Sequence, residues 1–407
     1  MKILVLDTIH GGREIARHLE RKGHFVDSVD VYRGRDGIDP ETASMRSYDL
    51  MIVPVHLDPS YFLLGSMRIP CITHHDAVRW ILGSDVPSPM IEITGARGKT
   101  TTANALAHVI GGPGILHAST GTVTFPDRRI LWKGSITPAS VIEAAMQSRS
   151  SNGWLIAEIS LGYCGSGDLG VLTSGQDYRF AGGRRSALQE KLRSGLRLPS
   201  LVTPPGVNVT GSSVRCEDAV TVTGDSCNYS LEGIRGSFQN PLLLLPGYKT
   251  PLMLAATAAM VLGIDPSDLA DFSVLEGRMA VKECDGVLVV DNSNSGTNRE
   301  TTAAAAEYLK SFNRKAPVTL VIGQEEDSVC EGFSAGEVFE TVSLVQPDIL
   351  ILVGDYLSTQ HMTRNRAKSG PGKPTPVHYC HTLGEGSELA MRLTEGGGVI
   401  LAVKTWR

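Results

Sequence analysis

No two of the seven cysteines are spaced as Cys-x-x-Cys, and seven is an odd number. The chain therefore has no dithiol motif, and buried thiols in a reducing compartment are expected. Nor does any apolar run approach the ~20 residues that span a bilayer. The opening Met1-Lys2-Ile3-Leu4-Val5-Leu6-Asp7 meets an acid too early for a signal peptide and reads as a strand. The expectation is a cytoplasmic protein with no membrane association. Positive charge is not in excess, with 38 Lys and Arg against 43 Asp and Glu, a formal net charge of −5. That balance argues against a general nucleic-acid binder. A full Gly-x-Gly-x-x-Gly pattern is missing near the N-terminus, where only Gly11-Gly12 follows the first strand, so a dinucleotide site there has weak support. Internal repeats and low-complexity tracts are also absent. Asn208-Val209-Thr210 and Asn228-Tyr229-Ser230 match glycosylation sequons, which carry no meaning in a cytoplasmic chain.

What is present describes a globular enzyme. At roughly 150 residues per domain, 407 residues suggest two or three domains. Apolar residues make up 42% and charged residues 20%, too apolar for a disordered chain. Glycine, at 44 residues, is enriched over the usual ~7%, which suits loops that bring backbone close to ligands. Residues 1–88 alternate apolar runs (Ile3–Leu6, Val26–Val31, Leu50–Val55, Cys71–Thr73) with polar helical segments, the pattern of a parallel sheet. Pro87-Ser88-Pro89 marks a boundary. Residues 89–275 form a second region. Its Thr/Val-rich stretch 201–238 is broken by Gly, Asp and Asn and reads as hairpins, and Leu252–Leu262 reads as an Ala-rich helix. Residues 276–407 return to strand-helix alternation. The expectation is an α/β protein of three domains.

The strongest chemical signal is Thr94-Gly95-Ala96-Arg97-Gly98-Lys99-Thr100-Thr101-Thr102, between the apolar strand Met90–Ile93 and the helix Ala103–Ile110. Glycines let successive N–H groups turn onto phosphate oxygens, and a helix N-terminus adds a field that favours anions. In such a loop Lys99 meets the β- and γ-phosphates and Thr100 holds Mg²⁺. The usual loop has a glycine where Ile93 stands, so this one is a shortened form. An acid on a neighbouring strand completes a magnesium site. Glu158, ending Trp154-Leu155-Ile156-Ala157-Glu158, is the candidate.

Together these segments resemble the Mur ligase family of three-domain, ATP-dependent ligases. Thr-Gly-x-x-Gly-Lys-Thr-Thr is similar to that family's phosphate loop, and Ala157-Glu158-Ile159-Ser160 to its Glu-x-Ser-Ser segment. Ile136-Thr137-Pro138 is similar to a Thr-Pro that opens a helix. Gly277-Arg278-Met279 and Asp291-Asn292-Ser293-Asn294 are similar to segments that begin the C-terminal domain and close over nucleotide. The resemblance implies a P-loop central domain, residues 89–275, between Rossmann-like domains at 1–88, which would bind substrate, and 276–407. It implies ATP and Mg²⁺ as cofactors, a nucleotide site of Thr94 to Thr101 with Arg278, Asp291 and Asn294, and Thr100 and Glu158 on the metal. Lys99, Glu158 and Lys191 are implied as catalytic.

The departures from the family are specific. Tyr178 stands where a second-metal His is usual, and Lys191 is the candidate for a carbamylated lysine. The adenine-contacting Asn is missing from Gly247-Tyr248-Lys249-Thr250-Pro251-Leu252, and the amino-acid signature Asp-Asn-Pro-Arg is absent. These losses fall where the family holds an incoming amine. A closer likeness, carried by Lys2–Gly12 and Asp291–Asn298, is to family members that cyclise a nickel tetrapyrrole. It implies activation of a propionate as an acyl phosphate and attack on it by a ring carbon of the same molecule. His10, Arg13, His75 and Arg79 are then candidates for holding that substrate, with His56, His74, Arg128, Arg129 and Trp132 as further ones. An amide ligase with a separate amine, and a non-catalytic nucleotide-binding scaffold, are the competing readings.

Overall fold

The computed structural model describes residues 1–312, 316–325, 333–354 and 375–405, and strand counts below are of these. Cys330 and Trp406 lie outside them; the six described cysteines are free thiols. Among the described residues no helix is long and apolar enough to cross a membrane. The chain divides into two compact units, Met1–Asn240 with Thr250–Phe272, and Pro241–Lys249 with Ser273–Arg407.

The first unit carries two parallel sheets. The N-terminal one has four strands in the order Phe25–Val29, Lys2–Leu6, Leu50–Val53, Cys71–Thr73, all parallel. Its second strand stops at Val29 rather than running on to Val31. The Asp30 carboxylate accepts hydrogen bonds from the amides of Tyr32, Arg33 and Arg35 and folds the chain into a turn. The larger sheet has eight strands in the order Ser213–Arg215, Leu201–Thr203, Leu169–Leu172, Met90–Thr94, Trp154–Glu158, Gly114–Ala118, Gly121–Phe125, Ile130–Trp132. The first six are parallel and the last two pair antiparallel. The central strands are buried on both faces, which is why they read as continuous apolar runs.

The hairpins expected over 201–238 are found only in part. Leu201–Thr203 and Ser213–Arg215 extend the parallel sheet instead. The antiparallel ribbon is Val220–Thr223, Ser226–Leu231 and Ile234–Gln239. Its second turn, Glu232-Gly233, has both residues at positive φ, the geometry that two-residue hairpins favour. The Ala-rich helix runs over Pro246–Val261, starting earlier than its composition suggested.

One hydrophobic core joins the two sheets of the first unit. Ile3, Ile15, Leu19 and Val78 from the N-terminal region pack with Met90, Ile115, Ile142 and Leu155 from the larger sheet. The proline-rich segment at 87–89 thus separates two sheets but not two compact units. Glu92 makes a second long-range tie. This fully buried carboxylate, in the middle of the strand before the phosphate loop, accepts from the amides of Cys164, Gly165, Ser166 and Gly167 at 2.6–3.1 Å. It fixes the loop that follows the Glu158 strand.

The second unit is a six-stranded sheet in the order Ala280–Cys284, Val287–Asp291, Gly398–Lys404, Val318–Gln324, Ile349–Val353, Val377–Cys380, parallel except for its first pair.

Glu92→Ala leaves four buried amides without an acceptor, and such groups cost roughly 1–3 kcal/mol each before the loop relaxes. The variant is expected to lose several kcal/mol of stability in chemical denaturation, while Glu92→Gln, which keeps two acceptor positions, loses less.

Candidate active site

In parallel α/β sheets ligands bind beyond the carboxyl ends of the strands, and the sequence-derived candidates of the first unit gather there. Thr94 ends its strand and donates from Oγ1 to the Ile159 carbonyl at 2.7 Å, tying the phosphate loop to the strand that carries Glu158. Glu158 is completely buried and lies in register with Ile93. Gly95 passes so close to the next strand end that a Cβ there would overlap the Thr173 hydroxyl. Gly98 enters the helix Lys99–Ile110 at φ +81°, a conformation costly for any residue with a Cβ. Thr173 donates to the Arg97 carbonyl at 2.6 Å and braces the loop from below. Lys99 is folded back, its Nζ donating to the Gly95 carbonyl at 3.0 Å. Thr100 Oγ1 hydrogen-bonds Ser119 Oγ at 3.0 Å, just past the strand Gly114–Ala118, which pairs with the Glu158 strand.

These residues suit a nucleotide with Mg²⁺. The loop is held open by its neighbours, a lysine at its rim is parked on its own backbone, and a hydroxyl sits on the loop beside a strand that ends in a buried carboxylate. Hard oxygen donors of this kind are what Mg²⁺ takes. Thr173 and Ser119 escaped sequence reading because nothing local marks a Thr or Ser at a strand end.

Lys191 lies on the helix Ala187–Gly195. Ser186 caps that helix by accepting from the Gln189 amide, and itself donates to Asp177 Oδ2 at 2.8 Å. Asp177 also accepts from the Leu188 amide at 2.9 Å. This anchor brings the helix back over Tyr178, whose ring centre is 4.8 Å from Lys191 Nζ. The ammonium is 1% exposed and has no hydrogen-bond partner. Burial pushes its pKa down to about 8, the nearby Lys99 charge adding to the shift and Asp177 opposing it.

The N-terminal sheet offers its own strand ends to the same unit. Asp7 stands after the first strand at φ +72°, completely buried, and its Oδ1 accepts from the amides of Ile9 and His10. Its Oδ2 meets His10 Nδ1 at 2.8 Å and His56 Nε2 at 3.1 Å. The bond to Asp7 raises the His10 pKa, against burial. Gly11 sits against Thr137 and Ala139, where a Cβ would come within 2.7 Å of Ala139 Cβ. The Ile136 carbonyl just before accepts from the Ser160 amide at 2.9 Å. The His10 turn is therefore linked through two short segments to the end of the Glu158 strand. From the other side, Arg185 donates to the Val55 carbonyl at 3.2 Å, and Arg184 pairs with Asp58.

The remaining substrate candidates are placed differently. The capping box of Thr73 and Asp76 starts the helix His74–Leu82 so that both its first histidines face inward. His75 is buried and hydrogen-bonds the Ser160 carbonyl at 3.0 Å, and His74 the Leu6 carbonyl at 2.9 Å. Burial pushes both down to about 4, so His75 is a neutral core residue joining two segments rather than an open ligand. Arg13 pairs with Asp36 at the surface, and Arg79 is exposed on the outer side of its helix. Arg128 stacks over Phe125, and Trp132 pairs with Thr122 in an edge strand.

In the second unit, Asn294 Nδ2 donates to the Gly277 carbonyl at 2.7 Å and its Oδ1 accepts from the Gly296 amide at 2.8 Å. This brings the Arg278 turn beside the Asp291–Thr297 loop and spends Asn294's own groups on the loop. Asp291 Oδ1 accepts from the Ser293 amide. Tyr248, in the segment that lacks the adenine Asn, is buried and accepts from the Leu275 amide at 2.7 Å, a structural role.

Comparison with known proteins bears on the family and the fold. Residues 281–405 match the model of the coenzyme F430 synthetase CfbE C-terminal domain. The chain is 33% identical to the Coenzyme F(430) synthetase of Methanosarcina acetivorans, covering 83% of this chain and 86% of that one. Among solved structures it is similar to E. coli FolC in complex with DHPP and ADP (TM-score 0.57, 14% identity, 81% and 89% covered). It is also similar to MurF from Acinetobacter baumannii (TM-score 0.54, 12% identity, 97% and 95% covered). Those structures share the three-part α/β architecture, and the relative shares sequence over most of its length. The chain belongs to the coenzyme F430 synthetase family and is an ATP-dependent ligase on the Mur-ligase fold.

Proposed function

We propose that this ligase closes a carbocyclic ring on a nickel tetrapyrrole. A propionate oxygen attacks the γ-phosphorus of ATP and ADP leaves. A ring carbon of the same molecule then attacks the acyl carbon, the C–O bond to phosphate breaks, and the ring carbon gives up a proton. The observation that carries the reading is the 33% identity with a Coenzyme F(430) synthetase, on a chain whose Lys99, Thr100 and Glu158 are intact. The missing amine-binding signature supports an internal nucleophile over a separate one, since tethering replaces the binding of a second substrate.

In this reading residues 1–88 hold the macrocycle, 89–275 the nucleotide, and 276–407 close over it. Thr94 to Thr101 cradle the phosphates, and Lys99 leaves the Gly95 carbonyl to meet the γ-phosphate. Thr100 and Glu158 would hold Mg²⁺, which when bound neutralises charge on the transferring phosphoryl group. Arg278 and Asp291 are assigned to nucleotide contacts, and Asn294 acts through the loop it pins. Among the imidazoles of the N-terminal sheet, half-exposed His10 is the one with an open edge for the macrocycle, and exposed Arg13 and Arg79 are available to its carboxylates. Domain closure would shield the acyl phosphate from water.

Lys191 is assigned as a carbamate former. A buried, partnerless amine with a pKa near 8 has a neutral fraction that can attack CO₂, and the resulting anion would lie near Lys99.

Incubation with ATP, Mg²⁺ and the open-ring nickel precursor is expected to give a product one water lighter than the precursor. A product heavier by an added amine would instead mean an amide ligase. Lys99→Ala is expected to lower turnover by at least a hundredfold with thermal stability unchanged; near-normal turnover removes the phosphate loop from the mechanism. Lys191→Met is expected to abolish turnover yet raise stability at pH 7, by on the order of 1 kcal/mol. The sign follows from the lowered pKa: the folded state resists protonation, so the wild-type penalty is complete below about pH 8. It fades as pH rises toward the ordinary lysine value of 10.5. The comparison is made on protein freed of CO₂, where a stability difference that does not shrink over that range contradicts a buried, unpaired ammonium at Lys191.

A further inference from the structure

The cluster of Asp7, His10 and His56 is not needed to bind nucleotide. It combines features that hydrogen bonding alone does not explain. Asp7 is held at φ +72°, a left-handed conformation that residues other than glycine seldom adopt. Two backbone amides fix one carboxylate oxygen, which leaves Oδ2 aimed at two imidazoles. The rings come from different loops, His10 from the turn after the first strand and His56 from the one after Leu50–Val53. They stand edge to face with centroids 4.9 Å apart, and Tyr32 closes a triangle of rings, stacked 5.9 Å from His56 and edge-on 5.4 Å from His10. One donor atom from each of the three residues lies within 4.8 Å of the others.

We propose that Asp7, His10 and His56 form a binding site for a divalent late first-row transition ion. Two donors about 2.1 Å from a shared ion are about 3.0 Å apart at a right angle and about 3.4 Å at the tetrahedral angle. The separations of Asp7 Oδ2 from the two ring nitrogens, 2.8 and 3.1 Å, already match that spacing. The two imidazole donors lie within 4.8 Å of each other, a separation that small ring rotations bring to the same spacing. One carboxylate with two imidazoles is the donor set that favours Zn²⁺, Ni²⁺ or Co²⁺ over Mg²⁺ or Ca²⁺. Three protein ligands leave coordination positions for water or a substrate oxygen, as in sites that bind rather than brace. Tyr32 shields one flank, and the Asp30 carboxylate beside it is already saturated by backbone amides. The site does not rest on the ring-closing reading, because no step of that reaction is used to derive it.

The test uses the full-length chain, stripped with a chelator and titrated with Zn²⁺, Co²⁺ and Mg²⁺ in a calorimeter, with the Co²⁺ visible spectrum recorded in parallel. One equivalent of Zn²⁺ or Co²⁺ is expected to bind, with visible cobalt bands and no matching heat from Mg²⁺ in the absence of nucleotide. His10→Ala and His56→Ala should each weaken binding at least tenfold. Asp7→Asn is informative only if circular dichroism shows it folded, so the two histidine variants decide the matter. Absence of a stoichiometric event, or binding undiminished in both histidine variants, overturns the proposal.

Discussion

The meeting of two parallel sheets at their carboxyl ends is the constraint on which the rest of the first unit depends. A parallel sheet covered on both faces leaves its strand ends as the place where backbone can turn toward a ligand. Here two such edges belong to one compact unit with a common core. The phosphate loop, Glu158 and Thr173 come from one sheet, and the Asp7 turn and His56 from the other. Gly11 against Thr137 and Ala139, and His75 to Ser160, join the two edges, while Thr94 to Ile159 and Ser160 to Ile136 tie together strand ends of the larger sheet itself.

Electrostatics is arranged around that edge in a consistent way. Carboxyl groups are buried at Glu158, the last residue of its strand, and at Asp7, just after the first strand, while the two lysines are held in states that a bound anion would change. Lys99 rests on a carbonyl it can leave, and Lys191 sits over an aromatic ring with its charge disfavoured. Tyr178 is a departure from the family at this point, and its ring is what covers Lys191.

What could be read from sequence was local. The phosphate loop declares itself because strand, glycines, Lys-Thr and helix are contiguous. Glu158 follows because an apolar run ending in an acid is a short-range pattern. The roles of Glu92 and Thr173 were hidden, since their partners lie 72–79 residues away and a Glu within an apolar strand carries no mark of four amide donors. His75 was misjudged for a related reason: proximity to a strand end suggested a ligand, but the Thr73–Asp76 capping box rotates it into the core. The stretch 201–238 looked like hairpins throughout because Thr and Val suit parallel and antiparallel pairing alike, and only tertiary context assigned its first part to the central sheet.

The account's central claim is that this crevice turns a carboxylate into an acyl phosphate. If it does, the oxygen that links carbon to phosphorus departs with phosphate when the carbon nucleophile attacks. The direct measurement uses precursor labelled with ¹⁸O in the propionate carboxylate, followed by mass analysis of the phosphate released in a single turnover. One ¹⁸O atom in that phosphate is the result the account requires. Phosphate free of label, with ring closure still dependent on ATP, would contradict it.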